Sequence, residues 1–247
     1  VGEDALISRL RGHSGIRLGV MGGAFDPIHL AHLVTGQEAL LQFGLDEVVF
    51  MVSGTPPHKK RRLAPAELRY LMTVLATASH PRFSVSRLEI DRPGMCYTVD
   101  TLETLAAALG PGSRIFFITG ADAVLDILTW KEPSRLLDLC TLIAATRPGY
   151  DLSRLAAVLD RLGAGLVGPG AEARVEVMEI PALAISSSLI RERLAAGRPV
   201  RYLVPEAVAQ FIEKNGLYAA GPAAAGRAEA DAAGEERPGA GNCSAHE

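Results

Sequence analysis

The string Gly22-Gly-Ala-Phe-Asp-Pro-Ile-His-Leu-Ala-His32 sets two glycines and two histidines where an anion could be held. It follows a short apolar run, Arg17 to Met21, and opens a stretch with apolar residues at helical spacing. Gly22 and Gly23 carry no Cβ, so the backbone there can approach a bulky anion. A helix start behind such a turn offers unpaired N–H groups and the positive end of its dipole. His29 and His32 are three apart, share a helix face, and could both reach one phosphate group. The alternatives are histidines that cap or pack at a strand-to-helix turn, or a metal pair. The metal ranks last, because no further ligands cluster nearby in the sequence.

Other residues carry separate possibilities. In Ile185-Ser-Ser-Ser-Leu-Ile-Arg191, hydroxyls at a helix start can cap it and leave N–H groups for phosphate oxygens, with Arg191 adding a permanent charge one turn in. Ser-rich helix starts are also common as plain caps. Thr55-Pro-Pro-His-Lys59 begins a basic run, Lys59 to Arg62, that serves a phosphate or simply a surface loop. Tyr97 and Thr98 begin a helix whose free amides could hold a carboxylate. In Gly120-Ala-Asp122, after a strand, Asp122 could accept from ribose hydroxyls or act as an N-cap. Trp130, the only Trp, is either a stacking surface or core.

These residues punctuate an alternating pattern. Strands are expected at Arg17 to Met21, Val48 to Val52, Phe83 to Ser86 with Leu88 to Ile90, Arg114 to Thr119, Thr141 to Ala145 and Val175 to Ile180. Helices are expected from about His29 to Phe43, Pro65 to Ser79, Thr98 to Leu109, Asp122 to Leu128, from Pro133, Leu152 to Leu162, Ser187 to Ala196 and Pro205 to Asn215. Alternation implies right-handed crossovers: an α/β, Rossmann-like, doubly wound and mainly parallel sheet with helices on both faces. In such sheets ligands sit at the carboxyl ends of the strands. The expected organisation is a flexible N-terminus over 1–15, one domain over 16–218, and an Ala/Gly/Pro/acidic tail over 219–247 too poor in apolar residues to offset its ordering entropy.

The chain has 247 residues, 48% of them hydrophobic and 21% charged, enough for a sizeable core without staples. A net charge of −3 excludes a bulk electrostatic attraction to nucleic acid or an anionic membrane, so neither partner is expected. That imbalance lies in the last residues; from the start to Ala220 basic and acidic side chains are equal in number, and an anion site must be local. Three widely spaced Cys fit a reducing compartment and neither a disulfide framework nor a structural zinc site. No apolar run approaches membrane length, and Val1-Gly-Glu-Asp is acidic where a signal peptide is basic. The expectation is a cytoplasmic protein, with self-association as a homo-oligomer left open.

The first string resembles the opening signature of the nucleotidylyltransferase superfamily, (H/T)-x-G-H after a glycine-rich turn. Its fuller form, G-G-x-F-D-P-x-H-x-G-H, resembles the bacterial nicotinate-nucleotide adenylyltransferases. Ile185 to Arg191 resembles their I-S-S-(S/T)-x-x-R, and Pro56-Pro-His-Lys59, Gly120-x-Asp122 and Arg147-Pro-Gly-Tyr150 resemble further landmarks. Tyr202-Leu-Val-Pro205 resembles the segment before the last helix and reads as packing. The likeness spans about residues 16 to 218. It departs at Ala31, which stands where the family has Gly.

The resemblance implies transfer of the adenylyl group of ATP to nicotinate mononucleotide, giving deamido-NAD and pyrophosphate, with Mg2+ accompanying ATP and no metal held by protein ligands. It assigns His29, His32, Lys59 and Arg191 to catalysis. Gly22, Gly23, Ala24, Phe25, Gly120, Asp122, Ile185, Ser187 and Ser188 would bind ATP. Tyr97, Thr98, Trp130 and Arg147 would bind the mononucleotide, Arg147 through its phosphate against the alternative of a surface salt bridge. Pantetheine-phosphate adenylyltransferases and cytidylyltransferases share the two signatures but do not account for the other landmarks together. A class I aminoacyl-tRNA synthetase would need an anticodon-binding domain and a K-M-S-K-S-like loop. A nucleotide sensor without turnover is the rival that Ala31 favours.

Overall fold

The structure is a computed structural model, which describes residues 5–55, 63–161, 166–167 and 174–219. Seven strands among the described residues form one sheet: β1 (Arg17–Gly23), β2 (Glu47–Val52), β3 (Phe83–Ser86), β4 (Arg114–Gly120), β5 (Thr141–Thr146), β6 (Leu166–Val167) and β7 (Val175–Glu179). Every pair is parallel, in the order β3-β2-β1-β4-β5-β7-β6. The helices are α1 (Ala5–Leu10), α2 (Leu30–Gln42), α3 (Ala66–Thr77), α4 (Leu88–Asp91), α5 (Thr98–Ala108), α6 (Ala121–Val124), α7 (Pro133–Leu139), α8 (Ser153–Asp160), α9 (Ser187–Ala195) and α10 (Glu206–Lys214).

The central stretches of β1, β2, β4 and β5 are mostly apolar because both faces are covered. Successive side chains point to opposite faces, so Val49 and Met51 enter one core while Val48 and Phe50 enter the other. The first core lies under α1, α5, α6, α7 and α8, through residues such as Leu10, Leu102, Val124, Leu136 and Leu155. The second lies under α2, α3, α9 and α10, through Leu40, Met72, Ile190 and Val208. This is the doubly wound arrangement the alternation predicts.

Several local expectations are corrected. The N-terminal residues are not all flexible: α1 buries Leu6, Ile7 and Leu10, and Arg9 pairs with Glu47 at 2.5 Å. The i, i+1, i+4 spacing of those three residues is the helical signal, too short to stand out. Leu88 to Ile90 is a helical turn rather than strand. Leu88 packs on the first core and Ile90 on the second, so an alternation that mimics a strand arises at the sheet edge. The helix expected over Asp122 to Leu128 is split into α6 and a 3-10 turn, Ile127–Thr129. The tail from residue 220 lies outside the described residues.

Candidate active site

The sheet order turns around between β1 and β4: the chain winds from β1 toward β3 on one side, and from β4 toward β6 on the other. The carboxyl ends of β1 and β4 therefore flank the crevice where ligands bind in open α/β sheets. Two cavities open there. One, of about 390 Å³, is bordered by Gly23, Ala24, Glu89, Tyr97, Thr98 and Trp130. The other, of about 380 Å³, is bordered by His29, Ala31, His32, Asp122, Arg147 and Ile185. Gly22 and Thr119 line both, so the cavities meet at the strand ends. A Cβ on Gly22 would stand 3.1 Å from the Phe117 ring, and one on Gly23 would stand 3.1 Å from the Phe25 ring. These glycines make room for aromatic walls as well as for a ligand.

The turn after β1 is built to aim the histidines. Phe25 takes a left-handed φ of 46°, a conformation costing roughly 1 kcal/mol for a non-glycine residue. Its ring is buried and meets His32 edge-on at 5.1 Å. Phe25 is thus a prop for His32, and it lines neither cavity. His29 is the N-cap of α2, one position before the helix it was expected to join. The two imidazoles stack at 3.7 Å, and the His29 backbone N–H donates to Nδ1 of His32 at 3.2 Å. An accepting Nδ1 puts the ring proton of neutral His32 on Nε2.

Burial drives the His29 pKa down to about 4. His32 is also pushed well below its ordinary value, by burial first and then by its neighbour His29. Both rings are neutral at pH 7 and offer N–H dipoles rather than charge. Nδ1 of His29 is buried without a hydrogen-bond partner, an uncommon and costly condition for a polar atom.

The second signature is tied to the first. Ser186, rather than Ser187 or Ser188, caps α9, accepting from the Leu189 N–H at 3.1 Å. The Ser187 hydroxyl donates to the Pro27 carbonyl at 2.8 Å. Arg191 donates to the Asp26 carbonyl at 2.6 Å and to the Ser188 hydroxyl at 2.9 Å. Their first structural task is to lock the turn after β1 against α9. Two residues outside the motifs, Arg69 and Tyr218, complete this region around Asp26 of the first signature. Arg69, fully buried, donates to the carbonyls of Ala24, Ala64 and Gly54. Asp26, also buried, accepts from the Tyr218 hydroxyl at 2.7 Å. Arg69 could have been noticed as a cation on the stripe it shares with Met72, Thr73 and Ala76.

Around the first cavity, Tyr97 is the N-cap of α5 and supplies no side-chain acceptor to its first turn. The Lys131 ammonium, unremarked in the sequence, pairs with Asp100 of that turn at 2.6 Å and lies 5.1 Å from the Tyr97 ring centre. Trp130 is partly exposed on the cavity wall and meets Phe117 edge-on. Glu89, nearly buried, accepts from the Thr101 hydroxyl at 2.8 Å, and burial raises its pKa.

In the second cavity Gly120, not Asp122, is the N-cap of α6, and Asp122 accepts from the Tyr150 hydroxyl at 3.1 Å. Arg147 borders this cavity and not the one with Tyr97, Thr98 and Trp130. Arg147 follows β5, which lies beyond β4 from β1. Tyr202 is 81% exposed with a φ of 65°, so it does not pack. Its neighbours fill the packing role expected of that segment: Val204 is buried, and the Leu203 carbonyl accepts the Leu30 N–H at the start of α2. Lys59 and its loop lie outside the described residues. Among the described residues no group of three or more His, Cys, Asp or Glu could hold a metal ion, and no helix is long and apolar enough to cross a membrane.

The cytidylyltransferase-like family model matches residues 20–193. A protein of Moorella thermoacetica named probable nicotinate-nucleotide adenylyltransferase is 51% identical over 203 residues, covering 82% of this chain and 91% of that one. A protein of the same name from Thermus thermophilus is also 51% identical over 203 residues, covering 82% of this chain and all of the relative. The fold matches the Plasmodium falciparum nicotinic acid mononucleotide adenylyltransferase complexed with NaAD, with a TM-score of 0.65 at 22% identity over 82% of this chain and 97% of that one. With both signatures joined at the crevice, this chain belongs to the cytidylyltransferase-like family, among its nicotinate-nucleotide adenylyltransferases.

Proposed function

We infer that the two cavities divide one reaction between them, with nicotinate mononucleotide in the first and the adenosine of ATP in the second. The protein transfers the adenylyl group of ATP to nicotinate mononucleotide, releasing pyrophosphate and deamido-NAD. The observation that supports this division is that the cavities share Gly22 and Thr119, so two ligands can meet end to end. Each volume lies within the range of small-molecule sites.

An oxygen of the mononucleotide phosphate attacks the α-phosphorus of ATP, and the bond from that phosphorus to the β-bridging oxygen breaks with its electrons leaving on pyrophosphate. The attacking phosphate is already anionic at neutral pH, so no general base is required. The barrier lies in bringing two polyanions into line, and catalysis comes from alignment and charge stabilisation. His29 and His32 donate N–H bonds to the triphosphate near the breaking bond. Arg191, with Lys59, supplies the positive charge, and the start of α9 holds the leaving pyrophosphate. Asp122 accepts from a ribose hydroxyl, beside Arg147. Trp130 stacks on the pyridine ring, and the open first turn of α5 receives its carboxylate.

Among the described residues no cluster of carboxylates is placed to cage a cation, so a divalent ion would be carried on phosphate oxygens and water. Mg2+ in that position would neutralise charge on the triphosphate. The widely spaced cysteines, with Cys96 and Cys140 buried as free thiols, support a cytoplasmic location.

Pyrophosphate release measured with a panel of acceptors tests the assignment. The expected result is turnover with ATP and nicotinate mononucleotide, and little when the acceptor is the amide mononucleotide or 4′-phosphopantetheine, or when CTP replaces ATP as the donor. Turnover favouring phosphopantetheine or CTP overturns the substrate assignment, and ATP binding without release of pyrophosphate by any acceptor favours the sensor.

A further inference from the structure

Three separate segments converge on Asp26. Its carboxylate accepts from the Tyr218 hydroxyl at 2.7 Å and from the Ala64 N–H at 3.2 Å, while its carbonyl accepts from Arg191 at 2.6 Å. Asp26 is only 1% exposed, so these partners replace water. Tyr218 follows α10 and takes a left-handed φ of 64°. That backbone conformation costs free energy for a non-glycine residue, and it turns the phenol back across the fold to the turn after β1. Burial and the Asp26 carboxylate both push the Tyr218 pKa up, so the phenol keeps its proton and donates. The same carboxylate holds Ala64, where the chain re-enters the described residues after the Lys59 run. Arg69 accompanies it, donating to the carbonyls of Ala24 and Ala64 on either side.

We propose that Tyr218 is a positioning residue for the phosphate site, acting through Asp26 to hold the turn after β1, Arg191 and the start of the 63–65 segment in one arrangement. A buried carboxylate that loses a hydrogen bond must find a new donor, and the nearest are the groups that aim at phosphate. Removing the phenol hydroxyl then lets the Asp26 carboxylate shift against Ala64, and with it the carbonyl that holds Arg191. The ATP side loses alignment, while the Trp130 cavity, on the other side of Gly22, is untouched. The proposal rests on the reading that the triphosphate lies at this turn.

The test uses the full chain with Tyr218→Phe, Asp26→Asn and the double variant. Two readouts are compared: ATP binding at equilibrium by calorimetry, and steady-state kinetics with each substrate varied. Tyr218→Phe is expected to lower kcat/KM for ATP about tenfold, the scale of one lost hydrogen bond to a charged group, and to leave KM for the mononucleotide within about twofold. The double variant is expected to be no worse than Asp26→Asn alone, because both remove the same link. Additive losses, or equal losses for both substrates that follow a fall in melting temperature, overturn the proposal in favour of a purely structural hydroxyl. Unchanged ATP binding and kinetics overturn it outright. If the wild-type chain binds ATP without turning it over, the functional reading fails, and the calorimetric comparison still decides the role of Tyr218.

Discussion

The two cavities that meet at Gly22 are built in different ways. The second takes His29, Ala31 and His32 from one turn, Asp122 from another and Ile185 from the start of α9, so its walls come from compact strings. The first collects Gly23, Glu89, Thr98, Thr101 and Trp130 one or two at a time from separate segments. Phosphate needs N–H groups and cations, which a strand-to-helix turn supplies in a few consecutive residues. An aromatic acid needs an apolar slot with one polar end, which only packing between segments creates. The shared chemistry of a family is therefore local in sequence, and the choice of acceptor is not.

The largest effect that would sharpen this contrast is at the junction. His32→Ala is expected to lower kcat and kcat/KM together by about a hundredfold, as loss of a donor used mainly in the transition state does. Steady-state kinetics with circular dichroism as a fold check measures it, and a rise in KM for ATP alone would make His32 a binding group. Trp130→Ala tests the other side. It is expected to raise KM for the mononucleotide roughly tenfold, within the range of lost ring stacking, while ATP binding stays unchanged. A matching loss of ATP affinity would mean that the cavities do not work separately.

Ala31 offers a smaller probe of the second cavity, which it borders while 9% exposed. Ala31→Gly is expected to tighten ATP by about threefold by relieving crowding, against up to about 1 kcal/mol of lost helix propensity in α2. Unchanged or weaker ATP affinity in a titration would refute this. The smallest effect concerns stability. Above pH 6.5 the His29 imidazole is neutral in folded and unfolded chains alike, and this group costs nothing. Below that pH the unfolded chain takes up a proton that the folded chain refuses until about pH 4, so stability falls as pH falls through this window. His29→Gln is expected to flatten that part of the curve in chemical denaturation. An unaltered slope would show that another group carries it.

Much of the fold is legible because its strands are buried on both faces and its turns carry glycine and proline. Val48 to Val52 is apolar at every position, and Gly44 and Gly54 bracket it. The misses share a cause. The segments at α1 and α4 are too short for a period to declare itself, and tertiary contacts decided them. In the site, the paired histidines and the Ser-rich start of α9 are visible as strings, whereas Arg69 and Tyr218 sit among ordinary helix and terminal residues. Nothing in the local sequence says that Tyr218 meets Asp26, because their partnership spans the whole domain.

The sequence by itself determined the alternating α/β class, the glycine-rich turn after β1 with its paired histidines, and the membership that both signatures announce. Those features depend on neighbours within a few residues, and local sterics and periodicity carry them. Tertiary structure alone decided that burial lowers the pKa of both histidines, that Arg147 stands with Asp122 rather than with Trp130, and that α9 and Tyr218 fasten the turn after β1. Each of these depends on which distant groups exclude water from a site, and desolvation and long-range hydrogen bonding have no signature in the order of residues along the chain.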